Sequence, residues 1–213
     1  MPRTRRGPSL DSPTTTDQSP TLDPELGARL DALCDEGRAF WHRFDAEVRQ
    51  DDWHPFVAAD YDSVRATLMS LRKPGRRFLE WGSATGVITI MADLLGFDAC
   101  GIELDASLVG VARELATRWE SNARFAAGSF LPLGWQWRNA RGDGRPGTIG
   151  LGPSGYLELG RALDDFDVVY GYPWMGEEPM MLDLMRSHGR DDALLVLHTT
   201  QDGTLIYRGG RPV

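Results

Sequence analysis

The chain has 213 residues, 41% of them hydrophobic and 25% charged, an ordinary balance for one globular domain that buries its own core without metals or staples. Its formal charge of −8 argues against a protein whose main task is gripping a phosphate backbone. No apolar run approaches the roughly 20 residues of a membrane span, the N-terminus lacks the apolar core of a signal peptide, and Cys34 and Cys100 are the only cysteines. The expectation is a soluble cytoplasmic protein with no disulfide framework and no zinc site.

Residues 1–22 hold four prolines, many Ser and Thr, and almost no apolar content. Such a segment cannot bury enough surface to offset the entropy of ordering, so a disordered tail is expected. From Asp23 the pattern changes: Leu26, Leu30, Leu33, Phe40, Trp41 and Phe44 recur at helical spacing, which predicts a helix over 24–49 with Asp23 as its cap. A second helix over 59–71 carries Tyr61, Val64, Leu68 and Leu71 on one face and stops at Pro74-Gly75. Together they make 23–73 a helical N-terminal extension.

Strands and helices then alternate. The pattern predicts strands at 76–82, 99–104, 123–128, 166–171 and 193–199, and helices at 87–96, 106–120 and 177–187. Alternation at this spacing specifies an α/β, Rossmann-like domain over 74–213, with a mostly parallel sheet and helices on both faces. The Gly- and Pro-rich stretch 131–161, which carries Trp135, Trp137 and Tyr156, interrupts the alternation as a long loop of the kind that covers a site.

Chemistry concentrates in FLEWGSATG, residues 78–86: a strand, an acidic residue at its end, a glycine turn and a helix start. Glycines there let backbone approach a ligand and expose helix N-terminal N–H groups. The second strand ends in Glu103, 21 positions after Gly82, where a carboxylate can accept both hydroxyls of a ribose. The dinucleotide pattern G-x-G-x-x-G fails, because Ala84 and Val87 stand at two of its glycine positions. The segment instead resembles motif I of the class I S-adenosylmethionine-dependent methyltransferases, E/D-x-G-x-G-x-G, read here as Glu80, Gly82, Ala84 and Gly86 with the middle glycine replaced.

That resemblance, over about residues 55–200, implies S-adenosylmethionine as cofactor and methyl transfer as reaction. It implies that Glu80, with the backbone of Trp81 and Gly82, holds the methionine amino group, that Ser83 and Gly86 line the turn, and that Glu103 binds the ribose while Leu104 packs on the adenine. The family often has an Asp after strand three; Ser129 and Phe130 stand there instead, and a serine hydroxyl can accept the same adenine bond. Strand four ends near the transferring methyl in this family, which places Tyr170 beside the cofactor and Tyr172, Trp174 and Glu177 on the substrate side. The family's nucleobase amino-methylating members carry N-P-P-Y or D-P-P-Y at that point. Here the residues are Tyr172, Pro173, Trp174 and Met175, so a nucleobase acceptor is not supported, and a small-molecule or protein acceptor stays open. The family's usual closing helix and strand pair do not fit after Thr199, so at most one short extra strand near Leu205–Tyr207 is expected.

Among the histidines, His54 (with Phe56) is placed to cover the cofactor. His198 ends strand five on the active-site edge, where a base could sit, although ordinary packing is the favoured reading. No histidine pair has metal-ligand spacing. The basic cluster Arg72, Lys73, Arg76 and Arg77 precedes strand one, at the sheet end away from the site, and reads as a solvated face. Two other functions remain open: a catalytically silent methyltransferase-like binding module, and an NAD-dependent oxidoreductase, which the failed glycine spacing counts against.

Overall fold

A computed structural model of the chain describes residues 22–48, 57–135, 152–174, 176–199 and 203–213. Residues 1–21 of the expected tail, His54, Phe56, Trp137 and the middle of the 131–161 stretch lie outside the described residues.

Helix α1 spans Pro24–Val48 and α2 spans Tyr61–Leu71. Asp23 caps α1 by accepting from the Glu25 N–H at 2.8 Å. The second helix starts two residues later than the periodicity predicts, because the Asp60 side chain accepts from the Asp62 and Ser63 N–H groups and so ends the extended approach. The alternating part follows as β1 (Arg77–Trp81), α3 (Val87–Leu94), β2 (Asp98–Glu103), α4 (Ala106–Arg118), β3 (Arg124–Ala127), α5 (Tyr156–Leu159), β4 (Val168–Gly171), α6 (Glu178–His188), β5 (Leu194–Thr199), β6 (Gly203–Arg208) and β7 (Arg211–Pro212).

The seven strands form one sheet in the order β3-β2-β1-β4-β5-β6-β7. The first five pair in parallel, and β6 and β7 are antiparallel. The order reverses direction between β1 and β4, which opens a crevice at the carboxyl ends of the central strands. This is the expected Rossmann-like, doubly wound architecture. Central strands are buried on both faces, which explains why their sequences read as apolar runs without alternation.

One face of the sheet packs Phe78, Val168, Tyr170, Leu194 and Val196 under α1 to α4. The other packs Leu79, Trp81, Val169, Leu195 and Leu197 under α5 and α6. Leu30, Leu33 and Cys34 of α1 and Val64 and Leu68 of α2 join the same apolar core as α3. Thus the first two helices cover the sheet rather than stand apart from it.

Two expectations need correction. The 131–161 stretch is not loop throughout: it contains α5, whose Tyr156 is buried in the second core. The C-terminal end adds two strands rather than one. Gly209 and Gly210, both with positive φ (56° and 72°), make the tight turn that folds Arg211–Pro212 back onto β6.

At the opposite end of the sheet, Arg77 pairs with Asp165 and Asp167, and Arg190 also holds Asp167. Arg72 and Lys73 are exposed there, as a solvated face requires. No helix among the described residues is long and apolar enough to cross a membrane.

Candidate functional site

Strand register builds the site. Glu80 of β1 stands beside Gly101 of β2 and Tyr170 of β4, and the pleat sends its side chain to the face covered by α2 and α3. Immediately after β1 the chain turns through three left-handed residues, Gly82 (φ 71°), Ala84 (φ 44°) and Gly86 (φ 79°). The alanine at the motif's middle glycine position keeps the glycine conformation, so the substitution leaves the turn intact, at a cost of about 1 kcal/mol. Gly86 has no such latitude, since a Cβ there would lie 2.6 Å from the Phe125 ring. The turn is tied down by the Gly82 and Ser83 N–H groups donating to the Ile102 carbonyl at 2.9 and 3.0 Å.

Glu80 is only 4% exposed. Its carboxyl accepts from the Thr89 hydroxyl at 2.5 Å and is also held by the Thr89 backbone N–H, and no cation among the described residues neutralises it. Burial therefore pushes its carboxyl up to about 8, against the downward pull of the Thr89 bond. The rings of Tyr61 and Tyr170 adjoin it, and burial drives both phenols well above their usual range. Ser83 Oγ and Tyr170 Oη are buried with no hydrogen-bond partner. Glu80, Gly82, Ser83, Tyr61, Tyr170 and Tyr172 line one narrow cavity of about 40 Å³, closed over by Val57, Ala58 and Ala59.

Glu103 ends β2 on the other side of the turn. Its Oε2 accepts from the Ala84 N–H and its Oε1 from the Asp105 N–H, each at 2.9 Å. The Leu104 N–H also bears on this carboxylate, and of its roughly four acceptor positions only part remains for a ligand. Burial raises its pKa, and these backbone N–H groups pull it back. Leu104, next in the chain, is 41% exposed and adjoins Gly152.

The remaining expected residues are dispersed. Trp81 faces the opposite side of the sheet, where its Nε1–H donates to Tyr156 Oη at 2.9 Å and its ring stacks on Phe130 at 5.2 Å. Ser129 is buried; its backbone bonds Pro153 and Gly155, and its hydroxyl accepts from the Leu131 N–H. Glu177 is also buried, and its carboxylate accepts from the Trp174 N–H at 2.9 Å, bracing the turn into α6. Tyr172 faces His198, ring centroids 5.8 Å apart. Sequence reasoning missed Tyr61 and Thr89 as parts of the site. Tyr61 reads as an ordinary core position of α2, and the only signal at Thr89 is a hydroxyl within an otherwise apolar helix turn. Among the described residues no group of His, Cys, Asp and Glu could hold a metal ion.

The sequence matches no protein-family model and no curated protein. Solved structures of similar fold include an RNA methyltransferase from Salinibacter ruber in complex with S-adenosyl-L-homocysteine, at 16% identity and TM-score 0.49, matched over 74% of this chain and 94% of that one. A precorrin-6y C5,15-methyltransferase from Geobacter metallireducens GS-15 matches at 16% identity and TM-score 0.44, over 67% and 66%. The PH0226 protein from Pyrococcus horikoshii OT3 matches at 17% identity and TM-score 0.45, over 65% of this chain and 56% of its own length, so the chain spans little more than half of that neighbour.

Proposed function

We propose that the cleft between β1, β2 and β4 binds S-adenosylmethionine and that the protein transfers its methyl group to an acceptor at the ends of β4 and β5. The observation that carries this reading is the buried, cation-free Glu80 at the start of a left-handed turn, with Ser83 Oγ and Tyr170 Oη unpartnered beside it. A buried carboxylate and two idle hydroxyls are what the ammonium and carboxylate of an amino acid would satisfy. Glu80 would hold the amino group, helped by the backbone of Trp81 and Gly82. Ser83 and the turn up to Gly86 would face the rest of the amino-acid end, and Glu103 would take the ribose hydroxyls with its remaining acceptor capacity. Leu104, exposed next to Glu103, would neighbour the adenine, whereas the Ser129 hydroxyl is taken by the Leu131 N–H and Phe130 stacks on Trp81 across the sheet.

Bound there, the cofactor supplies a methyl on a sulfonium, whose leaving group is already activated. The protein's share is positioning and water exclusion. Tyr170 and Tyr172 present aromatic faces that favour a nearby sulfonium charge, and Trp174 extends that wall toward the acceptor. Glu177 serves by bracing the Trp174 turn. The cleft must widen beyond its 40 Å³ to admit the ligand, and the 57–59 segment is the wall that gives.

Calorimetry with S-adenosylhomocysteine and, separately, NAD tests the cofactor. Binding of the first alone is the expected result; binding of NAD alone would replace this reading with an oxidoreductase. Methyl transfer from a labelled donor to a cell lysate then tests activity, and binding without transfer would identify a silent module.

A further inference from the structure

Register extends the site past the residues that hold the cofactor. One position beyond the paired residues Trp81, Gly171 and Leu197 come Gly82, Tyr172 and His198, and His198 pairs with Thr204 of β6. These form a row across the carboxyl edge of the sheet, with His198 two strand spacings, about 10 Å, from Gly82. Its side chain points to the face of Leu194 and Val196, which is also the face of Glu80. His198 is buried apart from its outer edge, packs its ring against Tyr172, and stands where an acceptor entering from the β4–β5 end would lie.

Its ring is also held. Nδ1 lies 3.0 Å from Thr204 Oγ1, and Thr204 Oγ1 lies 3.4 Å from Ser63 Oγ of α2. The Ser63 N–H in turn donates to the Asp60 carboxylate, whose field also reaches the imidazole. Asp60 bonds the Ser63 backbone and not its hydroxyl, so the side-chain chain ends at Ser63 Oγ. When the Thr204 hydroxyl donates to Ser63 Oγ, Thr204 Oγ1 is left to accept from Nδ1–H, the tautomer that the Asp60 field favours on this side of the ring. That tautomer leaves the lone pair on Nε2, the nitrogen away from Thr204. Burial keeps the imidazole below its ordinary pKa despite Asp60, so it is neutral and able to take a proton at pH 7.

Resting on the methyl-transfer reading, we propose that His198 is the general base of this site and that the acceptor is a protic nucleophile, an O–H or N–H group, stacked near Tyr172. The acceptor's lone pair forms a bond to the methyl carbon. The carbon–sulfur bond breaks, and its electron pair returns to sulfur as a neutral thioether. The acceptor's proton passes to Nε2, and the imidazolium then releases it to solvent.

Imidazole ¹⁵N shifts of the labelled protein at pH 7.5 test the tautomer without turnover. Protonated Nδ1 with unprotonated Nε2 is expected; the reverse tautomer overturns the proposal. His198→Asn keeps an amide donor near Thr204 while removing Nε2. It should hold S-adenosylhomocysteine affinity within about twofold and lower labelled-methyl incorporation about a hundredfold or more. Unchanged incorporation overturns the base role. Should the wild-type protein fail to bind S-adenosylhomocysteine, the methyl-transfer reading itself fails, whatever the tautomer. Should it bind and label nothing, the protein is a silent module and the base role is overturned whatever the tautomer.

Discussion

Two carboxylates end neighbouring strands only a turn apart, and the structure treats them in opposite ways. Glu80 is sealed inside with Thr89 as its sole donor residue among the described ones, whereas Glu103 is held at the rim by backbone N–H groups of the turn and of its own strand end. A backbone donor is permanent, so Glu103 is oriented and largely provided for by its own chain, and the same N–H groups oppose the upward pull of burial on its carboxyl. Glu80 has little to offset its desolvation, which holds its carboxyl up at about 8. The first is a shaped acceptor; the second is a site waiting for a positive charge.

The largest expected effect follows from that contrast. The folded pKa of Glu80, about 8, lies above its value in the unfolded chain, so its stabilising contribution is full below about pH 4.5 and is lost as pH rises through 8. Glu80→Gln should therefore match the wild type in denaturant unfolding at pH 5 and exceed it by a few kcal/mol at pH 8.5. The same variant should lose S-adenosylhomocysteine affinity. A stability difference that does not change with pH would show Glu80 to be an ordinary carboxylate.

Glu103→Ala comes next. It should weaken cofactor binding by about 1–3 kcal/mol in calorimetry, and it should lower stability by about 1–2 kcal/mol because the Ala84 and Asp105 N–H groups lose their acceptor. Unchanged affinity would remove Glu103 from the ligand and leave it purely a brace of the turn.

Thr89→Val removes the hydroxyl donor of Glu80 and keeps the backbone N–H. It should push the Glu80 carboxyl further up and shift the pH dependence of stability to higher pH, at a cost of about 1 kcal/mol at pH 8.5. A pH profile identical to that of the wild type would mean that the Thr89 bond does not hold the carboxylate form. The smallest effect belongs to the turn that separates the two acids. Ala84→Gly relieves a left-handed alanine, so it should stabilise the protein by about 0.5–1 kcal/mol in thermal unfolding with cofactor affinity unchanged.

Much of this was legible before folding. Glu80, Gly82, Gly86 and Glu103 sit in a local pattern of strand, turn and helix whose members are close in sequence, and the structure assembles them as that pattern implies. Trp81 and Phe130 show the limit: both lie next to site residues in the chain, yet they stack on the far side of the sheet. Adjacency along a strand says nothing about sharing a face, because successive side chains point oppositely. Glu177 is a further case, since an acidic residue after strand four looks chemical until its bond to the Trp174 N–H is seen.

From the sequence by itself came the two leading helices, the alternation of the central strands and helices, the parallel sheet and the glycine turn after β1, since periodicity, caps and glycine positions act over a few residues. Only the tertiary structure decided which helices cover which face, and that choice carried Tyr61 to Glu80 and the Ser63–Thr204 pair to His198. Contacts of that range depend on how two apolar faces dock, over sequence separations as large as 141 residues for Ser63 and Thr204. Docking is set by the shape of the whole core, which no local pattern encodes.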